Sequence, residues 1–125
     1  MAYNILIVDD SDTVRAVISK TLQMAGLDLG ELHTAANGQE GLSVLREQWV
    51  DLVLTDINMP VMNGVEMIEA MQGDENLAHL PVVVVSTEGS TTRMEELKAK
   101  GVRAYLRKPF TPEKLKEVIE DLLGE

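Results

Sequence analysis

Hydrophobic and polar positions alternate along this chain between two periods. Short unbroken apolar runs, the signature of buried strands, are separated by stretches whose apolar residues recur at helical spacing. Ile5-Leu6-Ile7-Val8 predicts a first strand. Val14, Val17, Ile18 and Leu22 then form one face of a helix that Ser11 or Asp12 can cap and Gly26 can end. A weaker strand is expected over Leu32–Ala35, followed by a helix capped by Asn37, with Leu42 and Leu45 inward and its end near Trp49. The third strand is predicted over Leu52–Asp56. A loop with Pro60, Asn63 and Gly64 leads from it to a helix carrying Val65, Ile68 and Met71 inward.

Pro81 opens the fourth strand, Val82–Val85, whose four consecutive valines require cover on both faces. The following helix, about Ser90–Lys100, has only Met94 and Leu97 as anchors and stops at Gly101. Val102–Leu106 is the fifth strand. The last helix is the clearest, with Thr111 as cap, Pro112 in its first turn, and Leu115, Val118, Ile119 and Leu122 on one face. Strands alternating with helices over short loops predict an α/β fold: a parallel sheet with right-handed crossovers and helices on both faces.

In such sheets, ligands bind beyond the carboxyl ends of the strands. The residues at those ends are chemically informative. The first strand runs into Asp9-Asp10, the third into Asp56, the fourth into Ser86, and Lys108 follows the fifth. Three carboxylates gathered at one edge repel one another and favour a cation between them. All the donors are oxygen, which suits a hard ion such as Mg²⁺, with Mn²⁺ as an alternative. A carboxylate can also act as a nucleophile and form an acyl phosphate, with Ser86 and Lys108 contacting the phosphoryl oxygens. Taken singly, each of these residues has an ordinary structural role: an acid at a helix start, a strand-end hydroxyl, a surface lysine.

Composition narrows the classes. The chain has 125 residues, a length suited to one domain, and 45% of them are hydrophobic. A net charge of −10 argues against a nucleic-acid surface. There is no cysteine, and so neither a disulfide nor a thiolate metal site. No apolar stretch approaches a membrane span, and acids follow Val8 at once, which argues against a signal peptide and for a cytoplasmic protein. Eight of the eleven Lys and Arg residues lie from Arg93 onward, either as solvated helix faces or as a partner surface.

Together, Val8-Asp9-Asp10, Thr55-Asp56-Ile57-Asn58-Met59-Pro60 with Asn63-Gly64, Val85-Ser86 and Lys108-Pro109-Phe110 resemble the motifs of response-regulator receiver domains, and most of all the stand-alone chemotaxis members. The resemblance covers essentially the whole chain and implies one receiver domain over residues 1–125. The implied fold is a flavodoxin-like (βα)5 three-layer sandwich with strand order 2-1-3-4-5. Asp56 is implied as the phosphoacceptor for a histidine kinase or histidine phosphotransfer protein. Asp10, Asp56 and the backbone carbonyl of Asn58 are the implied Mg²⁺ ligands, with Asp9 acting mainly through water. Ser86 and Lys108 would bind phosphoryl oxygens, and the Lys108-Pro109 bond would be cis.

Ser86 and Tyr105 match the switch positions of the family. The implied output is a changed surface on the fourth helix, fifth strand and last helix, where Lys98, Arg103, Arg107, Lys114 and Lys116 lie. A flagellar motor switch protein is one implied target. The resemblance further implies a monomer that is no enzyme beyond its own phosphorylation and dephosphorylation. Asn58, Thr87 and Glu88 flank the phosphorylation site as rate-tuning positions, and the branched Thr87 stands where a smaller residue is usual. Chemotaxis members often have a tryptophan at the position of Ile57. Here the only tryptophan, Trp49, precedes the third strand and is expected at the opposite end of the sheet.

Four alternatives stay open, one of them a non-signalling structural domain of flavodoxin-like fold. Asp10-Ser11-Asp12-Thr13-Val14 also resembles the Asp-x-Asp nucleophile motif of haloacid-dehalogenase phosphatases, with Asp10 attacking. The chain could serve a phosphorelay outside chemotaxis. It could also be a receiver cut from a larger protein, although Met1 and the close of the last helix suggest a stand-alone one.

Overall fold

A computed structural model describes residues 2–87 and 91–123. Five strands alternate with five helices: β1 (Tyr3–Val8), α1 (Asp12–Met24), β2 (Leu29–Ala35), α2 (Gly38–Glu47), β3 (Leu52–Thr55), α3 (Gly64–Gln72), β4 (Val82–Ser86), α4 (Thr91–Ala99), β5 (Ala104–Arg107) and α5 (Pro112–Leu123). The sheet is parallel, in the order β2-β1-β3-β4-β5. This is the flavodoxin-like arrangement.

Strand side chains alternate between two cores. Leu6, Val8, Val53, Val82 and Val84 face the cluster that includes Leu42 and Leu45 of α2, Met67, Ile68 and Met71 of α3, and Leu97 of α4. Ile5, Ile7, Leu52, Leu54, Val83 and Val85 face Ile18 and Leu22 of α1 and Leu115 and Ile119 of α5. The four valines of β4 are each at most 2% exposed, as their unbroken run requires. Each such side chain contributes about 1.5–3 kcal/mol by leaving water.

The element boundaries differ from expectation in readable ways. β1 and β2 begin earlier, because Tyr3 donates its N–H to Asp28 and pairs with Leu29 at the sheet edge. α2 ends at Glu47, since Gln48 is already extended. β5 starts at Ala104 because Val102 still belongs to the turn, its N–H bonded to Leu97 O, although Arg103 N–H already donates to Val82 O of β4. On α1, Val17 is 58% exposed and not inward. The buried stripe runs through Ile18 and Leu22, and Val17 lies about 100° around the helix from Ile18. The predicted start of the fourth helix at Ser90 lies outside the described residues.

Helix caps sit at the carboxyl edge of the sheet. Ser11 Oγ accepts from Val14 N–H at 3.2 Å, Asn37 Oδ1 from Glu40 N–H at 2.9 Å, and Thr111 Oγ1 from Lys114 N–H at 3.1 Å. Asn63 and Glu66 form a reciprocal capping box. Positive helix N-termini thus surround the strand ends.

Candidate functional site

Register brings the strand-end residues together. Val8 is paired with Thr55 across β1 and β3, so Asp9 and Asp56 leave adjacent strands at the same level. Asp56 N–H donates to Val8 O at 3.0 Å and Asp9 N–H to Ala35 O at 3.1 Å. Single carboxylate oxygens of Asp9, Asp10 and Asp56 all lie within 4.8 Å of one another. Ser86 ends β4, fully buried. Arg107 pairs with it, and Lys108 N–H donates to Ser86 O at 2.8 Å. The Lys108-Pro109 peptide is cis.

The three acids have different environments. Asp9 is buried, with Oδ1 accepting from Ser11 N–H at 2.9 Å and Oδ2 from Lys108 Nζ at 3.2 Å. Asp10 is exposed and open to solvent. Asp56 is partly buried, its Oδ1 accepting from Ile57 N–H at 2.7 Å, with Lys108 Nζ 3.5 Å from its Oδ2. Burial pushes the Asp56 carboxyl above its ordinary range. The Ile57 N–H and the Lys108 charge pull it back down, and the Asp9 charge pushes it up. Repulsion between acids is therefore the smaller part of that rise, and desolvation the larger.

The loop after Asp56 is tightly shaped. Gly64 packs against it so closely that a Cβ would lie 2.2 Å from the Asp56 carbonyl oxygen. Gly64 N–H also closes onto Ile57 O at 2.8 Å. Val61, 76% exposed, adopts φ 67°, a strained value for a β-branched residue, while Met62 N–H reaches back to Pro60 O at 2.7 Å. Asn58 and Thr87 are exposed beside the strand ends, and Glu88 lies outside the described residues. Tyr105 on β5 pairs with Val84 and is half-buried against the core on the α2, α3 and α4 side.

Asp12, the second acid of the Asp-x-Asp pattern, does not join the cluster. It is exposed and paired with Arg15. Two features of the site were not anticipated from sequence: the direct bond from Lys108 to Asp9, and Arg15 packed over the β1–α1 turn. Arg15 carries one local signal, its i, i+3 spacing from Asp12.

This geometry agrees with the family comparison: residues 5–120 match the response regulator receiver domain family. The chain is a response regulator receiver domain. This receiver domain is 38% identical over 121 residues to a CheY homologue of Campylobacter jejuni, covering 96% of this chain and 92% of that protein. It is 41% identical over 120 residues to the chemotaxis protein CheY of Pseudomonas aeruginosa, covering 94% of each. The solved structure of CheY4 from Vibrio cholerae matches it with a TM-score of 0.87 at 36% identity, covering 98% of this chain and all of that one. The strand order is the one for which CheY itself is an established example. As a receiver domain, the chain functions in phosphorelay signalling. Among the described residues, no helix is long and apolar enough to cross a membrane.

Proposed function

We propose that this receiver accepts a phosphoryl group on Asp56 from a phosphohistidine and carries it as a short-lived signal in chemotaxis. The observation that carries the proposal is the partly buried Asp56, with Lys108 Nζ 3.5 Å away and two further carboxylates within 4.8 Å. The hard, closely spaced oxygen donors of Asp9, Asp10 and Asp56 fit Mg²⁺, with the Asn58 carbonyl as a further ligand. When bound, Mg²⁺ neutralises the acids and the incoming phosphoryl oxygens.

In this reading an Asp56 carboxylate oxygen attacks phosphorus as the P–N bond breaks. The bonding electron pair goes to the ring nitrogen, and the donor histidine leaves as neutral imidazole when its other nitrogen is protonated. Lys108 offers a point charge and Ser86 a hydroxyl to the phosphoryl oxygens. Capped helices begin just after β1, β3 and β5, adding N–H dipoles of the right sign. Asn58 and Thr87 line the approach and tune phosphorylation and hydrolysis, and Glu88 belongs to the same flanking set.

Output follows from the same chemistry. A dianion on Asp56 draws Ser86 towards it, Tyr105 rotates into the space released, and the α4-β5-α5 surface shifts its population. Exposed Lys98, Arg103, Arg107 and Lys114 give that surface a basic character suited to an acidic partner segment. The whole chain acts as one receiver, monomeric and cytoplasmic, with no catalysis beyond its own phosphorylation cycle. The identity and coverage shared with CheY proteins favour chemotaxis over another relay.

The test is capture with the immobilised, Mg²⁺-loaded beryllofluoride form. Selective recovery of a flagellar motor switch protein supports the chemotaxis reading. Recovery of only a histidine phosphotransfer protein overturns it in favour of a different relay.

A further inference from the structure

We propose that Arg15 is a positioning residue for the metal site, acting through the peptide that joins Asp9 to Asp10. The inference rests on the reading of Asp9, Asp10 and Asp56 as an Mg²⁺ site.

Every polar group of Asp9 is committed. Its N–H donates to Ala35 O, and its two carboxylate oxygens accept from Ser11 N–H and Lys108 Nζ. Its carbonyl accepts from Arg15 Nη1 at 2.5 Å, a bond that reaches six residues back from the first turns of α1. Asp10 is the opposite case, an exposed carboxylate beside a fully held neighbour. Its direction is inherited from the backbone that precedes it. The Asp9 carbonyl belongs to the planar unit that also contains Asp10 N and Cα. Holding that carbonyl sets the rotation of the unit, and with it the direction in which Asp10 leaves the chain.

Arg15 is well suited to this role. Its side chain is only 17% exposed, so its guanidinium has few alternative positions. Its second terminal nitrogen pairs with Asp12, which orients the planar fork. Asp12 thus supports the site by orienting Arg15.

Charge and position make opposite predictions. Arg15 is a cation near a cation site, so on charge alone its removal should tighten Mg²⁺ binding. If Arg15 positions Asp10, its removal should weaken binding although a repelling charge has gone. The experiment is an Mg²⁺ titration of the full chain, followed by backbone amide shifts, for the wild type, Arg15→Met, Arg15→Lys and Asp10→Asn. Arg15→Met is expected to raise the Mg²⁺ Kd about tenfold, near the lower end for groups that orient metal ligands. Arg15→Lys keeps the charge but not the fork, and its Kd should lie between those of Arg15→Met and the wild type.

An unchanged or lower Kd in Arg15→Met overturns the positioning role, as does a lowered melting temperature with the Kd of the folded protein unchanged. If the wild type binds Mg²⁺ and Asp10→Asn weakens it, such a result leaves the site reading standing. If the wild type shows no saturable Mg²⁺ binding, the site reading fails and this inference with it.

Discussion

Lys108 Nζ stands 3.2 Å from Asp9 Oδ2, joining residues 99 apart in sequence inside a site that Asp9 enters almost fully buried. Asp56 is slightly farther from the same ammonium, at 3.5 Å. The lysine thus serves the acid cluster as a built-in counter-ion, bonded to the most buried of the three acids. Among the described residues, Lys108→Ala leaves the Asp9 carboxylate with the bond that it accepts from Ser11 N–H. It should lower stability by about 1–3 kcal/mol in urea unfolding without divalent cation, the usual penalty for orphaning a buried polar group. Saturating Mg²⁺ should recover much of that loss. An equal loss with and without Mg²⁺ would separate Lys108 from the acid cluster.

Asp56 carries a pH signature. Its carboxyl titrates above its ordinary value of 3.8 because folding buries it. The folded protein therefore holds a proton that the unfolded chain has already released. The stability tied to that proton is fully present below the ordinary carboxylate range and is lost as pH rises through the raised value. At neutral pH, the ionised Asp56 is a net burden on the fold in the absence of divalent cation. Asp56→Asn should therefore be the more stable protein at neutral pH, with the higher melting temperature. The two proteins should converge as the pH is lowered into the ordinary carboxylate range. A variant less stable than the wild type at pH 7 would contradict an upward shift at Asp56.

Gly64 explains why a small residue follows Asn63. A methyl group there would meet the Asp56 carbonyl oxygen at 2.2 Å, and a backbone atom cannot swing aside as a side chain can. Gly64→Ala should lower stability by more than about 2 kcal/mol, the range for strain in a packed site. It should also slow phosphorylation of the remaining folded protein by displacing Asp56. Wild-type unfolding and labelling rates in this variant would show that the loop yields easily.

These cases show which features could be read before the fold was known. The valines of β4 and the acids after β1 and β3 were legible because burial and strand-end chemistry are local properties of an apolar run. The exposure of Val17 was not, since Val14, Val17, Ile18 and Leu22 satisfy helical spacing together. Only the packing of α1 against β1 and α5 decides which edge of that stripe is covered. The start of β5 was displaced because Val102 is apolar enough for a strand, yet its N–H is taken by the turn after α4. The Lys108–Asp9 contact depends on two strands separated by β3 and β4, and no local pattern encodes it.

Trp49 tests the polarity of the sheet. It lies before β3, whereas the acids lie after it, a separation of roughly 13 Å along the strand. The Trp49 Nε1–H donates to Asp51 Oδ1 at 3.0 Å, and Asp51 Oδ2 accepts from Asn4 N–H at 2.8 Å and from its side-chain amide at 3.3 Å. The indole is 75% exposed and tied to that amino-end network, not to the acids. Its emission should respond weakly to Mg²⁺. Asp51→Ala should change it clearly and lower stability by about 1–3 kcal/mol through the donors left unpaired. Strong quenching of Trp49 on Mg²⁺ titration would count against this placement.

Asp56 is proposed here as the phosphoacceptor of a site built by four strand ends. The most direct measurement is intact-mass and peptide mapping after incubation with acetyl phosphate, with and without Mg²⁺, for the wild type, Asp56→Asn and Asp10→Asn. One phosphoryl group should be added, on Asp56, and only when Mg²⁺ is present. Asp56→Asn should abolish it, and Asp10→Asn should reduce it in a way that higher Mg²⁺ partly restores. Labelling that persists in Asp56→Asn, or that maps to Asp10, would rule out Asp56 as the phosphoacceptor.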